Sequence, residues 1–113
     1  MSSEKTCFVI APMGKAETET RKRSDLVLKF IVSPAVEPLG YKPLRADQIA
    51  VPGLITSQVI QHIIEDDLII ADLTGHNPNV FYELAIRHAL KKPFVQIISK
   101  EDLIIHDTHP GPV

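Results

Sequence analysis

The sequence predicts an α/β fold, a small doubly wound, flavodoxin-like three-layer sandwich with a mainly parallel sheet of four to five strands. Short apolar runs alternate with longer amphipathic segments, which indicates parallel strands joined by right-handed helical crossovers. Residues 68–71 are apolar without a break, as expected of a strand buried on both faces. The 113 residues, 44% hydrophobic and 23% charged, suit one domain with a single core.

The first predicted strand covers residues 6–11 and ends at the turn Pro12-Met13-Gly14. Residues 15–23 are polar and charged, which predicts a loop. Their composition favours a solvated loop, and a rim that steers anions is the alternative. The positive charges of this loop are Lys15, Arg21, Lys22 and Arg23.

The first predicted helix begins at Ser24-Asp25 and ends at Pro38 and Gly40. We expect a kink or break near Ser33, because Pro34 lacks the amide proton of a regular helical residue. The residues that fall on one face of this helix are Val27, Phe30, Ile31, Pro34 and Ala35.

A second strand is predicted over residues 41–46, and it suits a sheet edge because it contains Pro43. After a loop over residues 47–53, a helix over residues 54–65 carries Ile55, Val59, Ile60 and Ile63 at helical spacing. The later elements are a strand over 67–73, a helix over 79–91 with Leu84, Ala85 and His88 on one stripe, and a strand over 94–98.

The predicted domain occupies residues 1–100, and residues 101–113 form a tail or edge strand. Residues 103–105 are the candidate fifth strand, and the breaker cluster His109-Pro110-Gly111-Pro112 follows them. Because a fold of this type ordinarily continues with one more helix, we expect a shortened or truncated C-terminus.

Charge and cysteine content exclude several classes of protein. A net charge of −2 gives no reason to expect a nucleic-acid polymer or an anionic membrane as partner. The single cysteine provides no disulfide framework, and no apolar run has membrane-spanning length, so we expect a cytoplasmic protein. Four strands with a proline-containing edge bury little surface, so a homodimer or larger homo-oligomer is expected.

Residues 71–84, ADLTGHNPNVFYEL, carry most of the functional information. They run from the end of a buried strand through a turn into a helix. In open α/β sheets, ligands bind where the carboxyl end of a strand faces a helix N-terminus. We expect Asp72 and Glu83 to converge there on a shared cleft, which suggests chemistry on a polar small molecule.

Glu83 has a functional and a structural interpretation. In the opening turns of a helix, the dipole keeps a carboxylate ionised and available to trap an anomeric carbon as a glycosyl ester. Alternatively, Glu83 and Arg87 are spaced i, i+4 and form a surface ion pair worth ~0.3 kcal/mol. Residue type and spacing alone favour the ion pair.

For Asp72, two interpretations stay open: it binds sugar hydroxyls or a base edge, or it accepts hydrogen bonds from the turn at Thr74-Gly75. Either Asn77 or Asn79 is the expected N-cap of the following helix, whose first amides then offer an anion site. The residues expected near or at the rim of the same crevice are Pro12, Met13, Gly14, Arg45 and Asp47.

The chain contains no glycine-rich phosphate loop. His106 and His109 lie in a Pro/Gly tail without a thiolate, which favours solvated histidines over a metal site. We therefore expect no metal and no cofactor.

Residues 8–14, FVIAPMG, and residues 71–84 resemble the nucleoside 2-deoxyribosyltransferase-like superfamily. That group includes deoxyribosyltransferases, 2'-deoxynucleoside 5'-phosphate N-hydrolases and CMP N-glycosidases, and it is structurally akin to TIR domains. The resemblance extends from about the first strand to the fourth. It implies cleavage or transfer at the N-glycosidic bond of a nucleoside or nucleotide through a carboxylate nucleophile.

By this resemblance, Glu83 matches the nucleophile, and Asp72 matches the acidic partner that contacts the sugar or assists protonation. The loop residues Asn77 and Asn79 fall where the family holds the 5' end of the substrate. Residues 12–14 match a segment that closes over the nucleobase or sugar, and Tyr82 belongs to the matched Tyr-Glu-Leu. At the next position, Ala85 replaces the family's glycine.

Two alternatives remain beside this activity. The TIR likeness implies hydrolysis of NAD at its nicotinamide bond, again through Glu83. A non-catalytic nucleotide-binding or sensor module is the other. In each case, the expected partner is a nucleoside, nucleotide or NAD-like small molecule.

Overall fold

The computed structural model describes residues 4–14, 17–49 and 56–100, and it confirms the predicted α/β class. One four-stranded sheet has the order β2-β1-β3-β4 with every pair parallel, which is a flavodoxin-like order with the first strand inside the sheet. The strands are β1 (Lys5–Ile10), β2 (Tyr41–Arg45), β3 (Leu68–Asp72) and β4 (Phe94–Ile97).

Helices cover both faces of this sheet. They are α1 (Glu19–Val27), α2 (Ser33–Val36), α3 (Ser57–Glu65) and α4 (Pro78–Ala89). The α1–α2 layer packs Val27, Val32 and Val36 against Cys7, Val9 and Ile70. The α3–α4 layer packs Val59, Ile63, Val80 and Leu84 against Phe8, Ile10, Ile69 and Ala71. Among the described residues, no helix has the length and apolarity to cross a bilayer.

Successive strand residues point to opposite faces of a sheet, which decides where the end of β3 points. Ile69 and Ala71 face the α3–α4 layer, whereas Ile70 faces the α1–α2 layer. By this alternation, the side chain of Asp72 is directed toward α1.

The first helix begins earlier than predicted. It starts at Glu19, after an N-cap hydrogen bond in which the Thr18 hydroxyl accepts from the Arg21 amide. The predicted loop over residues 15–23 is therefore wrong for residues 19–23, while residues 15–16 lie outside the described residues. This turn is polar on all sides, so composition alone does not distinguish it from a loop.

The predicted apolar face of this helix is confirmed at Val27 and wrong at its other four residues. Its buried apolar side chains are Val27, Val32 and Val36, whereas Phe30, Ile31, Pro34 and Ala35 are exposed. The cause is a π-helical turn, Leu28–Val32, between α1 and α2.

A π turn contains about one more residue than an α-helical turn, so the residues after it are displaced around the helix axis. In a regular helix, the ring of Pro34 would clash with the carbonyl of Phe30, and the wider turn lies immediately before that proline. The expected break near Ser33 is thus a change of helix type, because Ser33 itself keeps helical dihedral angles.

The remaining strands and helices lie within a few residues of their predicted ranges. Strand β2 is an edge strand that contains Pro43, as expected. On α4, the predicted stripe is wrong at Ala85 and His88, which are exposed. Its buried residues are Val80, Glu83, Leu84 and Arg87. The predictions that lie outside the described residues concern 50–55, including Ile55, and 101–113, including the candidate fifth strand, His106 and His109.

Helix α4 begins as predicted, with Asn77 as N-cap and Pro78 as first helical residue. The Asn77 Oδ1 atom accepts from the amides of Asn79 at 2.9 Å and Val80 at 3.4 Å. We expect Asn77→Ala to lower the free energy of unfolding by about 1 kcal/mol, measured by urea denaturation. Asn77→Asp keeps the acceptor, so an equal loss in both variants would contradict this role.

Candidate functional site

The carboxyl ends of β1, β2 and β3 meet at one edge of the sheet, and side chains of α1 reach each of them. The parallel register keeps the three ends close to level. The α1 side chains that make these connections are Arg21, Arg23, Ser24 and Asp25.

At the end of β3, the fully buried Asp72 is held by Arg23 and Thr74, and we call these three residues the clasp. Arg23 donates from Nη1 to Asp72 Oδ2 at 2.7 Å and from Nη2 to Thr74 Oγ1 at 2.8 Å. The Thr74 amide donates to Asp72 Oδ1 at 3.1 Å, which confirms that Asp72 caps this turn. The Ser99 amide donates to Thr74 Oγ1 at 2.8 Å, so the clasp joins α1, the loop before α4 and the chain after β4.

At the end of β2, Arg45 is the centre of a second polar cluster. Its guanidinium donates to Asp47 Oδ1 at 2.6 Å, to Asp25 Oδ1 at 2.7 Å and to Ser24 Oγ at 3.2 Å. Burial acts to raise the pKa of Asp47, but the hydrogen bond and charge of Arg45 outweigh it, so this pKa is lowered. Arg45 and Asp47, the two residues predicted at the rim of the crevice, therefore bind each other.

At the end of β1, Arg21 fixes the turn that follows the strand. Its Nε donates to the carbonyl of Met13 at 3.2 Å, and its Nη2 donates to the carbonyl of Gly14 at 3.4 Å. Gly14 has a φ of 55°, and a Cβ there would lie 2.8 Å from Thr18 Oγ1, so this position requires glycine. Pro12 and Met13 are buried.

These contacts change the interpretation of the basic segment. Arg21 and Arg23 hold the carboxyl edge together, so for them the solvated-loop interpretation is wrong. Lys22, between them, is exposed and makes a 3.8 Å ion pair with Glu19. Lys15 lies outside the described residues.

Glu83 lies on the buried face of α4 and is 8% exposed. Within the described parts of the chain, its carboxylate has no hydrogen-bond or ion-pair partner. Burial raises its pKa to about 7, contrary to the expected stabilisation of the ionised form. The helix dipole acts most strongly in the first turn of a helix. Helix α4 begins at Pro78, so Glu83 lies beyond that turn.

The predicted surface ion pair of Glu83 with Arg87 is wrong. Arg87 is fully buried and points to the amino edge of the sheet, where Nε donates to the carbonyl of Pro93 at 3.1 Å and Nη1 to that of Ile63 at 3.1 Å. No contact among the described residues therefore accounts for a carboxylate at position 83.

The predicted site residues belong to two layers of the fold, and the convergence of Asp72 and Glu83 on one cleft stays a prediction. Met13, Gly14, Arg45 and Asp47 are linked through α1, and Asp72 faces the same layer. Glu83 belongs to α4, on the opposite face of the sheet, where its neighbours in sequence Val80 and Leu84 are core residues. Asn79 and Tyr82 are exposed. Two surface cavities, of about 510 and 240 Å³, are lined by neither Asp72 nor Glu83.

Sequence reasoning missed Arg23, Ser24 and Asp25 as organising residues of this edge. The available signal is a compact polar run, Arg21 to Asp25, that carries both signs of charge directly before an apolar helix. Its partners are distant in sequence, so no local spacing identifies them. Comparison with protein-family models and with curated proteins gives no match to this chain.

Proposed function

We propose that this chain cleaves or transfers a glycosyl group at the N-glycosidic bond of a nucleoside or nucleotide, with Glu83 as nucleophile. The observation that carries the proposal is a buried carboxylate without a partner among the described residues. Burying an unpaired charge costs free energy, and such perturbed groups concentrate at functional sites. The resemblance of residues 71–84 to the deoxyribosyltransferase-like superfamily supports the same residue.

In the proposed step, the ionised carboxylate of Glu83 attacks C1' of the sugar and forms a glycosyl ester. The C1'–N bond breaks, and its electron pair leaves with the base, which takes up a proton from solvent or a neighbouring acid. Water or a second base then opens the ester. A pKa of about 7 leaves a substantial ionised fraction at neutral pH.

In this proposal, Asp72 positions the site and does not touch the substrate. Its side chain is fully buried, and its two oxygens accept from Arg23 and Thr74. It thereby holds the start of the loop that leads to α4 and Glu83. We further propose a cytoplasmic place of action, which a buried free thiol at Cys7 supports.

The test is incubation of the purified chain with nucleosides, 2'-deoxynucleosides, their 5'-monophosphates and NAD, with released base measured by mass spectrometry. Base release from the nucleosides or nucleotides is the expected result. Nicotinamide release from NAD alone would favour the TIR-like alternative. A thermal shift with ligand but no turnover would favour the binding module and contradict our proposal.

Glu83→Gln is expected to keep the fold and lower base release by roughly 10³-fold or more, as removal of a nucleophile does. The wild-type rate should rise with pH to a plateau above about 7, because the attacking form is ionised. The matched control is Glu65→Gln, which neutralises an exposed glutamate on α3 and should leave the rate unchanged. Equal rates for Glu83→Gln and the control would remove Glu83 from the mechanism.

A further inference from the structure

The outer side of the α1–α2 segment exposes a row of apolar side chains. Leu26 is 55% exposed, Phe30 63% and Ile31 54%, and Pro34 is exposed beside them. All four lie on the solvent side of this segment, whereas Val27, Val32 and Val36 are buried in the core. We call Leu26, Phe30, Ile31 and Pro34 the ridge.

The ridge makes this segment apolar on two sides, because Val27, Val32 and Val36 already fill the core side. Helices of that kind are typically buried on both sides. Three of its large apolar side chains are more than half exposed, and a contiguous exposed apolar patch is often functional.

Charges of opposite sign stand at the two ends of the ridge. Lys22 lies four residues before Leu26, and Glu37 lies three residues after Pro34; both side chains are exposed. Their separation along the segment is roughly 20 Å, and Phe30 lies near its midpoint. The one ion pair of Lys22 that the structure describes, with Glu19, is solvent-exposed at 3.8 Å and contributes little.

This arrangement complements itself about a two-fold axis. When two copies of the segment pack antiparallel with the axis near Phe30, Lys22 of each copy lies beside Glu37 of the other. A two-fold interface brings one surface patch against itself and so repeats each contact. A parallel arrangement would instead bring the two Lys22 side chains together.

We propose that the ridge is the centre of a homodimer interface in which the α1–α2 segments of two copies pack antiparallel. Standard interfaces bury about 800 Å² on each partner, with an apolar centre inside a polar rim. The ridge provides that centre, with the Lys29 ammonium 5.3 Å from the centroid of the Phe30 ring, and Lys22 and Glu37 belong to the rim. The inference is independent of the proposed glycosyl chemistry, because no ridge residue belongs to that site.

The first test is sedimentation equilibrium of the full chain at about 1 to 100 µM. The wild type is expected to dimerise, and Phe30→Glu to raise the dissociation constant at least tenfold. Ile64→Glu, at a 38% exposed apolar residue on α3, is the matched control and should leave it unchanged. A monomeric wild type, or equal effects of the two substitutions, would overturn the proposal.

The second test is a charge exchange, which needs no substitution of an apolar residue. Lys22→Glu and Glu37→Lys should each weaken the dimer severalfold, and the double variant should restore it. Circular dichroism checks that each variant keeps its helix content. Failure of the double variant to restore dimerisation would overturn the antiparallel arrangement.

Discussion

Replacing Glu83 by glutamine is expected to stabilise the folded chain by about 3 kcal/mol at pH 8 and by less than about 1 kcal/mol at pH 5. In the folded state, burial raises the pKa of Glu83 to about 7 from an ordinary value of 4.5. Between these two values, the folded chain holds a proton that the unfolded chain has released. Its stabilising contribution is therefore complete below pH 4.5 and is lost as the pH rises through about 7. Glutamine is neutral throughout and escapes this loss.

Urea denaturation of both proteins at pH 5, 6, 7 and 8 measures this difference directly. The stability advantage of Glu83→Gln should grow from pH 5 to about pH 7 and then level off. Glu65→Gln, at an exposed position on α3, should show no such growth. An advantage that is flat across this pH range would contradict the burial of an unpaired carboxylate.

The stability and activity results for Glu83→Gln together separate two roles of the residue. A variant that is more stable above pH 7 and also inactive has the signature of a site where stability is given up for function. A variant that is more stable and equally active would leave the buried carboxylate without a catalytic role. Neither measurement alone makes this distinction.

The sheet is the part of the fold that the sequence predicts best. Each strand is a short apolar run, and the uninterrupted run at residues 68–71 predicts the burial on both faces that β3 has inside the sheet. Pro43 correctly indicates an edge strand, because proline has no amide proton to donate to a neighbouring strand and is tolerated where that side of the strand is unpaired. These features depend on local composition, which a sequence displays directly.

The ridge shows why periodicity failed for the first helix. Counting at 3.6 residues per turn groups Phe30, Ile31 and Pro34 with Val27 on one face. The π turn changes that count within one turn, and Val32 replaces Phe30 and Ile31 in the core. Counting residues at one helical period assumes that the whole segment is one helix type, so it cannot detect a π turn within an α-helix.

Glu83 shows a different limit. Val80, Glu83, Leu84 and Arg87 follow the i, i+3, i+4, i+7 pattern of a buried helix face, and all four are buried. The pattern was present in the sequence, but charged residues are ordinarily assigned to the solvent side. A charge that interrupts a core pattern therefore marks a candidate functional residue, as the prediction of Glu83 from its motif also did.

The polar clusters of the carboxyl edge lie beyond any local pattern. Arg23 and Asp72 are 49 residues apart in sequence, and Arg45 and Asp25 are 20 apart. Only the parallel crossovers bring these groups together. The sequence identified Arg45, Asp47 and Asp72 as residues of this edge, but it did not identify the α1 side chains that bind them.

Arg23→Ala is expected to lower the free energy of unfolding by about 2 kcal/mol. Removing one partner of a buried ion pair leaves the other charge uncompensated, which costs 3–5 kcal/mol when both are buried. The side chain of Arg23 is 38% exposed, so solvent screening reduces the loss. Among the described residues, Asp72 would keep only the amide hydrogen bond from Thr74.

A double-mutant cycle with Asp72→Asn distinguishes this mechanism from a loss of packing, with urea denaturation as the measurement. Asparagine keeps an oxygen for the Thr74 amide but carries no charge, so adding Asp72→Asn to Arg23→Ala should recover about 1 kcal/mol of the loss. Lys42→Ala, at an exposed position on β2 outside the clasp and the ridge, is the control and should change stability by less than about 0.5 kcal/mol. The loss of unfolding free energy in Arg23→Lys should lie between those of Arg23→Ala and the control. An ammonium keeps the charge but cannot bond Asp72 and Thr74 with one planar fork. If Arg23→Ala costs no more than Lys42→Ala, the clasp does not hold the loop before α4, and the positioning role that we propose for Asp72 fails with it.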